Sequence, residues 1–150
     1  MSALLHFEDF HEGQRFALGP HTVGRDAIIA FAQEFDPQPF HLDGTAARSS
    51  LLGGLAASGW HSTAITMRLM CDACLSRSSI LGSSGMDEVK WLSPVLAGDV
   101  LSGDFVITAT RASASRPGIG MVNFTTKLAG GDGRPKIEMT GMFFMRRRSS

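Results

Sequence analysis

The 150-residue chain balances 14 Lys and Arg against 14 Asp and Glu, and 43% of its residues are hydrophobic. That length suits one domain over residues 1–150, and that apolar content excludes wholesale disorder. A formal net charge of zero offers no general attraction to nucleic acid or to an anionic membrane surface. The chain has only 2 cysteines, too few for a disulfide framework, and no run approaches the roughly 18 apolar residues of a membrane span. Glu8, Asp9 and Glu12 stand where a signal peptide would need basic and then apolar residues, so the expected address is cytoplasmic.

In chain order, the first periodic segment is Arg25 to Phe35, where Ile28, Phe31, Ala32 and Phe35 recur on one face of a helix. Pro37 ends it, because proline lacks a donor and pushes the residue before it toward extended backbone. A second helix is expected from about Ser58 to Leu75, with Ser58 as N-cap and Gly53, Gly54 and Gly59 at its entrance. Apolar or small residues occupy nearly every side of it, which predicts burial; only Arg68 and Asp72 read as solvated. The second half then changes to period two. A strand near Met86 to Leu92 is followed by alternating segments around Leu101–Ala109, Val122–Leu128 and Ile137–Met145, with turns at Arg116-Pro117-Gly118 and Gly130-Gly131-Asp132-Gly133. One long helix followed by an antiparallel sheet predicts an α+β domain whose sheet curls around that helix. Its open edges are expected to pair across a two-fold axis, giving a homodimer or a dimer of dimers.

Two stretches carry the chemistry. Phe35-Asp36-Pro37-Gln38-Pro39-Phe40-His41-Leu42-Asp43 follows a helix end and holds a carboxylate and an imidazole five residues apart. Fully extended, they would sit roughly 15 Å apart, so joint action on one water requires a turn. Asp36 and His41 then form a general acid–base pair; alternatively, Asp36 caps a turn and His41 is an ordinary loop residue. Leu51 to His61 opens the second helix, whose first N–H groups lack intrahelical acceptors and lie at the positive end of the dipole. Gly59 there either admits a ligand to those N–H groups or only permits tight packing.

The segment Ile28 to His41 resembles the hydratase motif of MaoC-like dehydratases, relatives of the (R)-specific enoyl-CoA hydratases with a hotdog fold. Ala57-Ser58-Gly59-Trp60-His61 is similar to the start of their central helix, and Trp91-Leu92-Ser93-Pro94-Val95 with Gly98-Asp99 to the strand and turn that follow it. The resemblance implies Asp36 and His41 as the catalytic pair and the Gly59 N–H as an oxyanion donor, with Pro39, Phe40, Ser58 and Trp60 against the substrate. It also implies reversible addition of water to a trans-2-enoyl thioester of coenzyme A or acyl carrier protein, needing neither metal nor organic cofactor. Four positions depart from the family pattern: Glu34-Phe35 replaces a typical Ser-Gly, Gln38 a typical Asn, and Ser58 a typical His. A thioesterase and a non-catalytic acyl-thioester binder on the same fold are the alternatives, since fold alone does not fix chemistry.

Other signals are weaker. His41, Asp43 and His61 with Asp36 could be imagined around a metal, but no compact ligand motif accompanies them. Cys71-Asp72-Ala73-Cys74 lies deep within the second helix rather than at its N-terminus, where thiolates are activated, and reads as core. Gly82-Ser83-Ser84-Gly85 lacks the Lys-Ser or Lys-Thr of a phosphate loop. Arg111, Arg116 and Arg134 read either as solvated charges or as contacts to coenzyme A phosphates. Met67 and Met70 read as core filler or as the lining of an acyl tunnel.

Overall fold

The computed structural model describes residues 3–148. The elements follow in chain order as β1 (Arg15–Thr22), α1 (Arg25–Phe35), α2 (Pro39–Leu42), α3 (Gly44–Arg48), α4 (Gly59–Ala73), β2 (Ile80–Gly82), β3 (Met86–Trp91), β4 (Val100–Ala112), β5 (Ile119–Ala129) and β6 (Pro135–Arg146). All strand pairings are antiparallel, in the order β1-β4-β5-β6-β2, and β3 shares the outer edge of β6 with β2. The expected α+β architecture is present: an antiparallel sheet wrapped around one long helix, the hotdog arrangement.

The sheet's inner face is built by the period-two pattern. Val122, Phe124, Thr126 and Leu128 of β5 and Ile137, Met139, Phe143 and Met145 of β6 are all buried, whereas Lys127 is exposed. Phe124 stacks on Phe143 with centroids 4.6 Å apart and meets Phe105 edge-on at 5.4 Å, geometries that add to simple burial. Ile65, Leu69 and Met70 of α4 join this cluster. The Thr126 hydroxyl, the polar group of that face, donates to Met70 Sδ at 3.4 Å. At Gly103 of β4 a Cβ would collide with the Lys127 carbonyl of β5, so only glycine fits.

α1 and the α4 start lie where the sequence places them. Ile28 and Ala32, one turn apart, are fully buried, and Ser58 caps α4 by accepting from Trp60 N at 3.2 Å. The expectation that α4 is buried on nearly every side is not met. Trp60, Ala64, Arg68 and Asp72, each four residues on, form an exposed stripe, along which Arg68 and Asp72 pair at 2.9 Å. β1 was not anticipated either, because in Arg-Phe-Ala-Leu-Gly-Pro-His-Thr only Leu18 is buried and the Gly-Pro reads as a turn. β2, at three residues, is too short to show a period. Cys74 is buried, and that burial pushes its thiol up to about 11 despite nearby Arg77, as befits a core cysteine. None of the described helices is long and apolar enough to cross a membrane.

Phe124→Ala removes a ring packed on two others in a close-packed interior. Urea unfolding is expected to show a loss of about 3–5 kcal/mol; a loss below about 1 kcal/mol would mean that the core does not centre on these strands.

Candidate active site

The turn that Asp36 and His41 require is supplied locally. Asp36 terminates α1, its N–H still donating to Ala32 O at 2.9 Å. Pro37 stops the helix, Gln38 N donates back to Asp36 O at 2.8 Å, and Pro39 opens the single turn α2, where its missing N–H costs nothing. One turn of helix after a proline break thus returns His41 to the carboxylate that precedes it. His41 Nε2 lies 3.4 Å from Asp36 Oδ2, with side-chain exposures of 7% and 16%.

The surroundings fix what each group can do. His41 Nδ1 is 2.7 Å from Ala56 O; a carbonyl only accepts, so Nδ1 carries a proton. In the neutral ring Nε2 is then a lone pair pointing toward a carboxylate oxygen. Two acceptors converging at 3.4 Å repel each other unless a proton lies between them or a water donates to both. Asp36 is itself held from two sides, Gln38 Nε2 donating to Oδ1 and Ser58 Oγ to Oδ2 at 2.7 Å. Burial pushes the Asp36 carboxyl up, but the Gln38 and Ser58 hydrogen bonds and neighbouring His41 outweigh it and hold the group below the usual 3.8. The carboxylate is therefore ionised at neutral pH.

A cleft of about 400 Å³ opens beside the pair. Asp36, Gln38 and His41 form its polar side; Phe40, Trp60, Trp91, Leu92, Pro94 and Val95 supply much of the apolar wall. Gly59, the first residue of α4, also lines it, and its N–H has no acceptor within the helix. The glycine's Cα side is not open to a ligand: a Cβ at 59 would overlap the Trp91 indole. That indole is held by Nε1 donating to Thr63 Oγ1 at 3.1 Å, while the Thr63 hydroxyl donates to Gly59 O at 2.8 Å. Trp91 meets Trp60 edge-on at 5.1 Å.

The structure thus brings Asp36, His41, Gly59, Phe40 and Trp60 to one cleft, but not two of the residues expected against substrate. Ser58 is fully buried and acts on Asp36 and the helix end instead. Pro39 is exposed and outside the lining, its place being the α2 start. Met67 and Met70 do not line the cleft, and Met70 is sealed in the core. His61 turns away and stacks on Phe31 at 4.7 Å, where burial, with His21 nearby, pushes its imidazole below the ordinary value. Asp43 caps α3 by accepting from Thr45 N at 2.9 Å. Among the described residues no group of three His, Cys, Asp or Glu side chains could hold a metal ion.

The sequence reading noted Trp91 and Gln38 only as parts of a motif. Their roles as cleft wall and carboxylate donor depend on contacts that spacing does not encode. Because the folded Asp36 carboxyl is depressed, its contribution to stability is fully present above the ordinary 3.8 and is lost as pH falls through the lower folded value. Asp36→Asn is expected to flatten that acid limb of the stability profile; an unchanged limb would show that the Ser58 and Gln38 contacts do not hold the carboxylate.

Residues 9–126 match the family model described as MaoC like domain. An uncharacterized Bacillus subtilis protein, YdeM, is 32% identical over 94 residues, spanning 63% of this chain and 67% of that protein. The crystal structure of a MaoC-like dehydratase from Rhodospirillum rubrum is similar over 97% of this chain and 99% of its own, with a TM-score of 0.88 and 42% identity. An (R)-hydratase from Pseudomonas aeruginosa shares the fold at 16% identity, with a TM-score of 0.77 over 97% of this chain and 88% of its own. With a cleft built on Asp36, His41 and the start of α4, and a family match over most of its length, the chain belongs to the MaoC-like domain family.

Proposed function

We propose that this protein is a hydratase or dehydratase that adds water reversibly to a trans-2-enoyl thioester, and that residues 1–150 act as one catalytic domain. The observation that carries the reading is the convergence of two proton acceptors, Asp36 Oδ2 and His41 Nε2, at the wall of an apolar cleft that also contains the free start of a helix.

A water donating one hydrogen to each acceptor has its oxygen lone pair left over for attack. Its oxygen bonds to C3 of the enoyl group as one proton passes to the Asp36–His41 pair. The C2=C3 π electrons shift toward C1 and charge develops on the thioester oxygen, which the Gly59 N–H and the α4 dipole stabilise. The pair then returns a proton to C2, and the charge collapses to the 3-hydroxyacyl thioester. Dehydration is the reverse. General acid–base help of this type is worth about 10²–10⁴ in rate. The R. rubrum relative, named a MaoC-like dehydratase, supports the reading.

Coenzyme A or acyl carrier protein thioesters are the proposed substrates, and a second copy of the chain the proposed partner. Trp60, Trp91 and Leu92 are all exposed apolar side chains lining the cleft, the kind of patch that an interface covers.

Crotonyl-CoA hydration, followed by loss of enoyl absorbance with a thiol reagent present, tests the chemistry. Wild type is expected to consume substrate without releasing thiol, and Asp36→Asn and His41→Ala to lose at least about 10² of the rate. Thiol release at the rate of substrate loss would instead mean attack at the carbonyl and a thioesterase.

A further inference from the structure

Lys136 stands on β6, outside the cleft, yet its side chain is only 8% exposed. A buried ammonium is costly unless its donors are met. Here Nζ donates to Pro94 O at 2.7 Å and pairs with Asp99 Oδ2 at 3.1 Å. The same Asp99 oxygen accepts from Leu96 N at 2.8 Å. The ion pair therefore clamps both ends of the 94–99 turn, and the turn is fixed to the β6 backbone by Leu92 N donating to Lys136 O at 2.9 Å.

That turn is what holds the catalytic segment. Ala57 N donates to Val95 O at 2.8 Å and Ala97 N to Leu55 O at 3.0 Å, so residues 55–57 pair with residues 95–97 in a short antiparallel bridge. From this strap come three settings of the site. Ala56 O accepts from His41 Nδ1 and so fixes the ring's tautomer and tilt; Ser58, two residues on, caps α4 and binds Asp36; and Gly59 then presents the first helical N–H.

We infer that Lys136 is a positioning residue: through Asp99 and Pro94 it sets where the Gly59 N–H and His41 stand relative to a bound thioester carbonyl. The inference rests on the hydratase reading above. It assigns a rate role to a lysine that touches no substrate and lies outside the motif segments. A misplacement of about 1 Å transmitted this way can cost on the order of 10²-fold in rate.

The test uses Lys136→Met, which keeps the length of the stem and removes the charge, and Asp99→Asn, which retains an acceptor for Leu96 N–H but weakens the pair. The probe is 2,4-hexadienoyl-CoA, whose absorbance moves to longer wavelength when its carbonyl is polarised on binding. In wild type that shift is expected together with crotonyl-CoA hydration. In folded Lys136→Met, kcat is expected to fall about 10²-fold with KM close to wild type, and most of the shift to disappear. Affinity for S-hexyl-CoA, a thioether without the carbonyl oxygen, is expected to be unchanged. Asp99→Asn is expected to move the same readouts in the same direction by less, and it decides the matter if Lys136→Met does not fold. Full retention of kcat and of the shift in the decisive variant overturns the inference, as does a parallel loss of thioether binding, which marks general collapse of the cleft. A wild-type protein that neither hydrates crotonyl-CoA nor shifts the probe overturns the hydratase reading, and the inference with it.

Discussion

The hydrogen bond from Ser58 Oγ to Asp36 Oδ2, at 2.7 Å, joins the two halves of the site. A hydroxyl has one proton to give and lone pairs to accept with, and Ser58 uses both, donating to the carboxylate and accepting from the helix start at Trp60 N. The capping residue of α4 is thereby also the clamp on Asp36, the residue that follows the end of α1. If the helix start moves, the carboxylate moves with it, and Asp36 and the Gly59 N–H keep one spacing.

Electrostatics on the two sides of the cleft are opposed in a useful way. The Asp36 side carries a carboxylate whose hydrogen-bond donors and neighbouring His41 outweigh the upward push of burial. The α4 side offers the positive end of a helix 15 residues long. In the proposed reaction, an enoyl thioester laid between them meets water activated at its C3 end and a donor at its oxygen end, with indole and aliphatic groups lining the space between. Trp91 contributes to this by covering the Cα of Gly59, and its own indole is tied through Thr63 to the Gly59 carbonyl. Glycine at 59 is thus required by packing, while its N–H is left available by its place at a helix start. Of the two readings of this glycine that the sequence leaves open, tight packing is the one that accounts for its missing side chain.

Much of the fold was legible because its elements are locally consistent. β5 and β6 alternate cleanly, Pro37 breaks α1, and Ser58 signals the start of α4. What escaped was decided at longer range. β1 pairs with β4 across a register irregularity between Leu18 and His21, around a Gly-Pro that reads as a turn. Along the open stripe of α4, Arg68 and Asp72 read as solvated, but Trp60 and Ala64 do not, because small and apolar residues occur on nearly every face of the pattern. At the site, spacing left the pairing of Asp36 and His41 open and the family resemblance pointed to it, and the structure brings the two within 3.4 Å; Ser58 was assigned to substrate when its partner is Asp36, 22 positions away in sequence. Lys136 carried no signal at all, because a lone lysine in a strand pattern reads as solvated until the turn that buries it is known.

Hydration of crotonyl-CoA in water enriched in oxygen-18, with mass analysis of the products, tests most directly where the activated water goes. The account requires the label in the 3-hydroxyl of an intact thioester, with none in a carboxylate, and requires incorporation to collapse in Asp36→Asn. Label in a free carboxylate, or incorporation that persists in that variant, would contradict it.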